Sequence, residues 1–164
     1  MHPNDLRISM SENAYFSGAV LAITGGQFSA AAIENLATST KIVAVTSLKV
    51  SATSAGSVVL YPYGASDLAA GTNARMLGKG QNSSGAGSGN AALRYAYNAN
   101  IDTLFGVTLS AVSPITVPIR VANEFYEIIE DGPLIISPDE CFALMPSVVN
   151  VGMSVRVSWQ ELGG

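Results

Sequence analysis

Six carboxylates, Glu124, Glu127, Glu130, Asp131, Asp139 and Glu140, stand within one short stretch and make up half of the 12 acidic residues of the chain. Grouped carboxylates do two kinds of chemistry. A pair held at the right separation hydrolyses glycosidic bonds, and an alternating Asp-x-Asp-x-Asp loop wraps a calcium ion. The spacing here demands neither geometry, and the calcium alternation is absent. The acids fall on a strand-like stretch and on two turn sequences, where their charge is solvated. Neither a metal nor a catalytic pair is expected from them.

Other reactive side chains are scarcer. Nucleophilic catalysis needs a nucleophile, a base and an orienting group, and the single histidine is His2, among the first residues. Cys141 is the only cysteine, so an intrachain disulfide and a cysteine-based zinc site are excluded. In its apolar run it reads as a small buried hydrophobe. The stretch Gly78 to Asn90, GKGQNSSGAGSGN, shares its glycines with phosphate cradles but lacks the Gly-Lys-Ser/Thr ending and a following helical period. It reads as a low-complexity loop, with contact to a neighbouring protein as its functional variant. Tyr61, Tyr63, Tyr95 and Tyr97 are the remaining candidates. Val59, Tyr61 and Tyr63 share one strand face, as do Leu93, Tyr95 and Tyr97. Aromatic platforms of that kind hold sugars, but the same spacing serves core or subunit-interface packing, which is the favoured reading. The chain is expected to have no catalytic site, no cofactor and no metal.

The elements that would position these residues are strands. Along the ending, Met153, Val155, Val157 and Trp159 alternate with Ser154, Arg156, Ser158 and Gln160, the period of a half-buried strand. Further candidates are Ala19 to Thr24, Gln27 to Leu36, Lys41 to Ala52, Ser57 to Tyr63, Ala92 to Asn98, Leu104 to Ser110, Ile115 to Ile129 with a break, Leu134 to Ile136 and Glu140 to Met145. Val, Ile and Thr enrichment favours sheet, with short helical turns considered only at Ser29 to Leu36 and Asn73 to Gly78. Gly132 followed by Pro133 reads as a turn with a left-handed glycine, and Ser137-Pro138-Asp139-Glu140 as a turn with proline at its second position. Pro118 marks an edge strand or a bulge, because proline cannot donate to a ladder. About eight main strands suit an all-β fold, an antiparallel β-sandwich of jelly-roll type spanning 14–164. Residues 1–13 lack a sustained period and read as an extended N-terminal arm.

Composition narrows the function. Only 12% of the 164 residues are charged, against about 25% in an ordinary soluble domain, while 48% are hydrophobic. So few charges leave apolar surface that gains free energy when another subunit covers it. A net charge of -4 opposes binding to phosphate backbones, so no nucleic-acid partner is expected. No run approaches the roughly 18 apolar residues of a membrane span. The short apolar run from Gly18 to Ile23 is too brief for a secretory signal, so a soluble protein made in a cytoplasm is expected.

The run GPLIISPDECFAL from Gly132 to Leu144, followed by NVGMSVRVSWQEL from Asn150 to Leu162, resembles small jelly-roll virion proteins of tailed bacteriophages, especially capsid decoration (cement) proteins. It is similar to their pattern Pro-Leu-x-Leu-x-Pro-Gly-Glu-x-Leu followed by a closing strand with Trp and Glu. Asp139 stands where that pattern often has Gly. The match covers about a third of the chain, and its motifs are structural. The resemblance implies a homotrimer seated on the major capsid protein, on the outside of the virion, holding neighbouring capsomers together. On this reading Pro3, Asn4, Leu6, Arg7 and Ile8 of the arm and Lys79, Gln81 and Asn82 of the loop touch the capsid, and Tyr61, Tyr63, Tyr95 and Tyr97 lie between subunits. The alternative is a receptor-binding, glycan-binding or baseplate module with the same fold, in which those tyrosines cluster at a solvent-facing tip.

Overall fold

Met153, Val155, Val157 and Trp159 are each 2% exposed or less, while Arg156 points to solvent and Ser154, Ser158 and Gln160 are half-buried. One dry face and one wet face are what the alternation required. The same logic, repeated along the chain, builds the whole fold. The computed structural model describes residues 14–23, 25–63, 72–73, 76–78, 90–98, 115–129 and 131–163. Within them the protein is all-β, with two antiparallel sheets and no helix. The expected arm, residues 79–89 of the loop and the candidate strand Leu104 to Ser110 lie outside the described residues.

The strands are β1 (Ala14–Leu21), β2 (Phe28–Asn35), β3 (Ile42–Ala52), β4 (Gly56–Tyr63), β5 (Thr72–Asn73), β6 (Met76–Gly78), β7 (Ala91–Asn98), β8 (Ile115–Ile119), β9 (Tyr126–Glu127), β10 (Leu134–Ile136), β11 (Glu140–Pro146) and β12 (Met153–Leu162). Their pairings nest. The first strand lies on the last, β1 against β12, and the second on the last but one, β2 against β11. Further in, β3 pairs with β10 and β4 with β8. β12 then joins β3 and β11 joins β4, giving a first sheet β10-β3-β12-β1-β6 and a second β5-β7-β2-β11-β4-β8. β9 adds to the first sheet beside Lys49 and Val50 of β3.

Between β4 and β8 the chain supplies β5, β6 and β7. β6 continues the first sheet past β1, and β7 continues the second past β2. Neither β1 nor β2 is therefore left as an open edge, where unpaired backbone would invite other strands. β8 is an edge of the second sheet and contains Pro118, as the proline implied.

The inner faces of both sheets share one core. Leu21, Ile33, Val45, Leu48, Leu60, Leu93, Ile119, Leu144, Met153 and Trp159 belong to a single buried cluster. The outer face of the second sheet is buried as well, around Ala30, Ala32, Tyr61, Ala96, Ala143 and Met145. Burial on both sides explains why β2 shows no alternation of residue types. Ser29 to Asn35, within the stretch to Leu36 that could have made helical turns, is strand, as is Met76–Gly78. β1 starts at Ala14, five residues before the expected Ala19. Its inward positions include Ser17, and the outward Gly18 interrupts the polar side, so the alternation is hidden.

The turns match their chemistry. Gly132 has φ 114° and Asp139 has φ 65°, so the left-handed position at 139 is filled by a residue type that tolerates it. The Asp139 N–H donates to the Asn35 carbonyl at 3.0 Å, and the Ser137 N–H to Glu140 Oε2 at 2.9 Å. Gly152 precedes β12 in a tight crossing. A Cβ there would lie 2.8 Å from the Leu21 carbonyl oxygen and 3.0 Å from Thr53 Cγ2. Gly152→Ala is expected to lower stability by about 1–3 kcal/mol through overpacking, read as a drop in the denaturant midpoint at unchanged slope.

Candidate binding surface

The acidic stretch is dispersed by the fold. Glu127 pairs with Lys49 at 3.5 Å and accepts the Leu48 N–H at 2.9 Å and the Ser47 hydroxyl at 3.2 Å. Glu140 caps the turn before β11, and Glu124 lies 3.4 Å from the Tyr126 hydroxyl. Asp131 and Asp139 are exposed on separate turns, and Glu130 lies outside the described residues. Among the described residues no three His, Cys, Asp or Glu side chains gather as a metal site. Cys141 is buried in β11.

The tyrosines are not brought together. Tyr61 is 7% exposed on the outer face of β4, in the second buried cluster. Tyr95 and Tyr97 are half-buried and pack against the main core from β7, and the Tyr97 hydroxyl accepts the Ala22 N–H at 3.0 Å. Two strands, β2 and β11, separate β7 from β4. Nothing is described of the Tyr63 side chain or of Pro3, Asn4, Leu6, Arg7, Ile8, Lys79, Gln81 and Asn82, which lie outside the described residues. Tyr15 is instead the aromatic partner of Trp159, stacked at 5.7 Å between ring centroids. Burial, and secondarily the Glu161 carboxylate, push its phenol above the ordinary value of 10.0.

The outer face of the first sheet is the open one. Of nine large exposed hydrophobics among the described residues, Phe16, Val20, Ile42, Ile135 and Leu162 stand on this face. Ile42 lies directly opposite Leu162, and Ile135 opposite Ala44, which groups three of the five at one end. In the middle of the face runs a groove of about 500 Å³ lined by Phe16, Gly18, Ser47, Lys49, Arg156 and Ser158. Its geometry rests on a register shift between Ser158 and Trp159: Ser158 faces Ser47 and Trp159 faces Val45, leaving Thr46 as an extra residue. Such a bulge bends the strand and re-aims its side chains. The Thr46 hydroxyl donates to the Ser158 carbonyl at 3.2 Å, and Glu127 takes up the Leu48 N–H. With that register, Lys49 and Arg156 are direct neighbours across the ladder.

A second opening, of about 480 Å³, lies where β8 of the second sheet approaches β10 of the first. Leu60, Ile115, Val117, Ile129, Leu134 and Phe142 line it, and Asp131 is its one charged wall. Without converging polar groups it has little to orient a ligand.

Fold and surface together define a two-sheet antiparallel β protein that presents one open sheet face. Comparison of the chain with protein-family models, curated proteins and solved structures finds no match in any of the three.

Proposed function

We propose that this chain is a jelly-roll structural subunit of a tailed-phage virion, a cement protein made in the host cytoplasm that assembles as a homotrimer on the outside of the major capsid protein. The observation that carries the reading is the nesting of strand pairs, β1 with β12, β2 with β11, β3 with β10 and β4 with β8. A long hairpin wrapped so that its two arms divide between two sheets produces this order, and that is the construction of a jelly roll. Residues 1–13, ahead of β1, are the arm in this reading. Jelly rolls serve several roles, so the phage assignment rests also on the resemblance of the Gly132 to Leu162 region. Catalysis has no part in it.

The patch formed by Ile42, Ile135 and Leu162, 43–52% exposed, supplies the apolar contact that a closed oligomer needs. Clamping then follows from linkage: a protein that binds only the expanded shell stabilises it in proportion to that binding. The test is co-sedimentation with expanded capsids against unexpanded procapsids, together with the mass in solution. The expected result is a trimer that saturates expanded shells at a fixed ratio. The double variant Ile42→Lys/Leu162→Lys is expected to sediment as a monomer with its fold intact, since both side chains face solvent in the single chain. Retention on host cells with no capsid binding would favour the receptor-binding or baseplate reading instead.

A further inference from the structure

We propose that the groove across the outer face of the first sheet binds an acidic sugar, a pyranose carrying a carboxylate. The site is independent of the capsid reading, since the groove lies along the strands from the Ile42 and Leu162 end of the face.

The charge arrangement is the first reason. Lys49 and Arg156 sit directly opposite each other across β3 and β12, a placement of like charges that costs stability in a sheet. Lys49 is neutralised by Glu127, which is itself fixed by a backbone N–H and a hydroxyl. Arg156 has no such partner: among the described residues no carboxylate lies within ion-pair distance of it. Its guanidinium instead lies over the Phe125 ring at 4.1 Å. An aromatic ring under a guanidinium attracts the cation without using its N–H donors, and those donors can grip a carboxylate with two parallel hydrogen bonds. In a chain of net charge -4, Arg156 thus combines an aromatic neighbour with no carboxylate partner among the described residues.

The groove's other features suit a sugar ring better than a bare anion. Phe16 lies opposite Ser158, and Ser158 opposite Ser47, so one row across the sheet offers an aromatic ring, the Ser158 hydroxyl and the acceptor side of the Ser47 oxygen, whose proton goes to Glu127. Phe16 is 38% exposed, giving the apolar C–H face of a pyranose a surface to cover. Gly18 is the cross-strand neighbour of Arg156. A Cβ at that position would come within 3.0 Å of the Val155 carbonyl oxygen and 3.9 Å of Arg156 Cγ, so the glycine keeps the floor open beside the arginine stem. The volume of about 500 Å³ lies within the usual range of about 300–1,000 Å³ for small-ligand sites.

The test is an NMR titration of the intact protein with glucuronate, galacturonate and N-acetylneuraminate, with glucose, galactose and acetate as comparisons. At least one acidic sugar is expected to shift the amides of Gly18, Arg156 and Ser158 saturably, more weakly at high salt, and to bind about tenfold or more tightly than its neutral counterpart. Arg156→Gln is expected to weaken binding by about tenfold or more, and Phe16→Ala by several-fold, with the amide spectrum otherwise folded. No saturable shift with any acidic sugar would overturn the proposal, as would unchanged binding by Arg156→Gln. Acetate binding as tightly as the sugars would assign the groove to bare carboxylates, such as an acidic side chain of a protein partner, and would equally overturn it.

Discussion

Trp159→Ala is expected to lower stability by about 3–5 kcal/mol, the largest effect expected of any single truncation among the described residues. Trp159 is 1% exposed in the main core. It lies between two cross-strand neighbours, Tyr15 on β1 and Val45 on β3, and so packs the three central strands of the first sheet at one level. Truncation removes the stacked ring contact with Tyr15 and opens a cavity beneath strands that the rest of the core holds in place, so little of the void closes. The indole N–H also donates to Glu161 Oε1 at 3.4 Å. Trp159→Phe keeps a ring for stacking and most of the volume while removing the donor and a small part of the indole, and its cost should be about 1–2 kcal/mol. Equilibrium denaturation of both variants separates the two contributions. A Trp159→Ala cost no larger than that of Trp159→Phe would mean that ring packing contributes little at this position.

Position 159 was also where the sequence spoke most clearly, because the strand buries one face only and its residue types alternate accordingly. The turn glycine at 132 and the edge proline at 118 were legible for a similar reason: each residue has a local conformational meaning that tertiary structure did not need to supply. β2 shows the opposite case. Ser29, Ala30, Ala31, Ala32 and Ile33 are all buried, so both faces select small or apolar types, and alanine by itself favours helix. Only pairing with β7 and β11 makes this stretch a strand. The nested order was not legible either, since which strand joins which depends on contacts between residues far apart in the chain, from 55 positions for Leu60 and Ile115 to 146 for Ala14 and Gln160.

The candidate groove was hidden by the same non-locality. Alternation puts Arg156 on the wet face of its strand, and Lys49 falls within the strand expected from Lys41 to Ala52, observed as Ile42–Ala52. Their opposition depends on the bulge at Thr46, and no turn residue or glycine marks that bulge in the sequence. Phe16 and Gly18 lie in the first half of β1, where no alternation of residue types marks a strand. The tyrosines drew attention as a spaced aromatic set, yet spacing along a strand places residues on a common face without saying which face that is. Tyr95 and Tyr97 face the core, while Tyr61 faces the opposite side of the same sheet.

Asn35→Leu is the second large effect expected, at about 2–5 kcal/mol, although leucine has the same branched shape. Asn35 is fully buried at the end of β2. Its amide nitrogen donates to the Lys41 carbonyl at 2.8 Å and to the Ile136 carbonyl at 2.9 Å. Ile136 belongs to β10 of the first sheet, so one side chain of the second sheet ties the two sheets together and anchors the turn that leads into β3. Leucine strands the Ile136 carbonyl away from water, at about 1–3 kcal/mol, and its bulkier methyls overpack the site, at about 1–3 kcal/mol more, while the Lys41 carbonyl keeps the Ser39 hydroxyl at 3.2 Å. Asn35→Asp probes the same site with the shape conserved. A carboxylate would face two carbonyl oxygens with no donor to offer, and ionised it should be at least as damaging as leucine. Because the aspartate can take up a proton and regain one donor, its deficit should shrink as the pH falls through the pKa of the buried carboxyl, whereas that of leucine should not follow this titration. Denaturation of the two variants at neutral and mildly acid pH distinguishes these outcomes. Equal, pH-independent losses would show that the hydrogen bonds of Asn35 do not hold the sheets together.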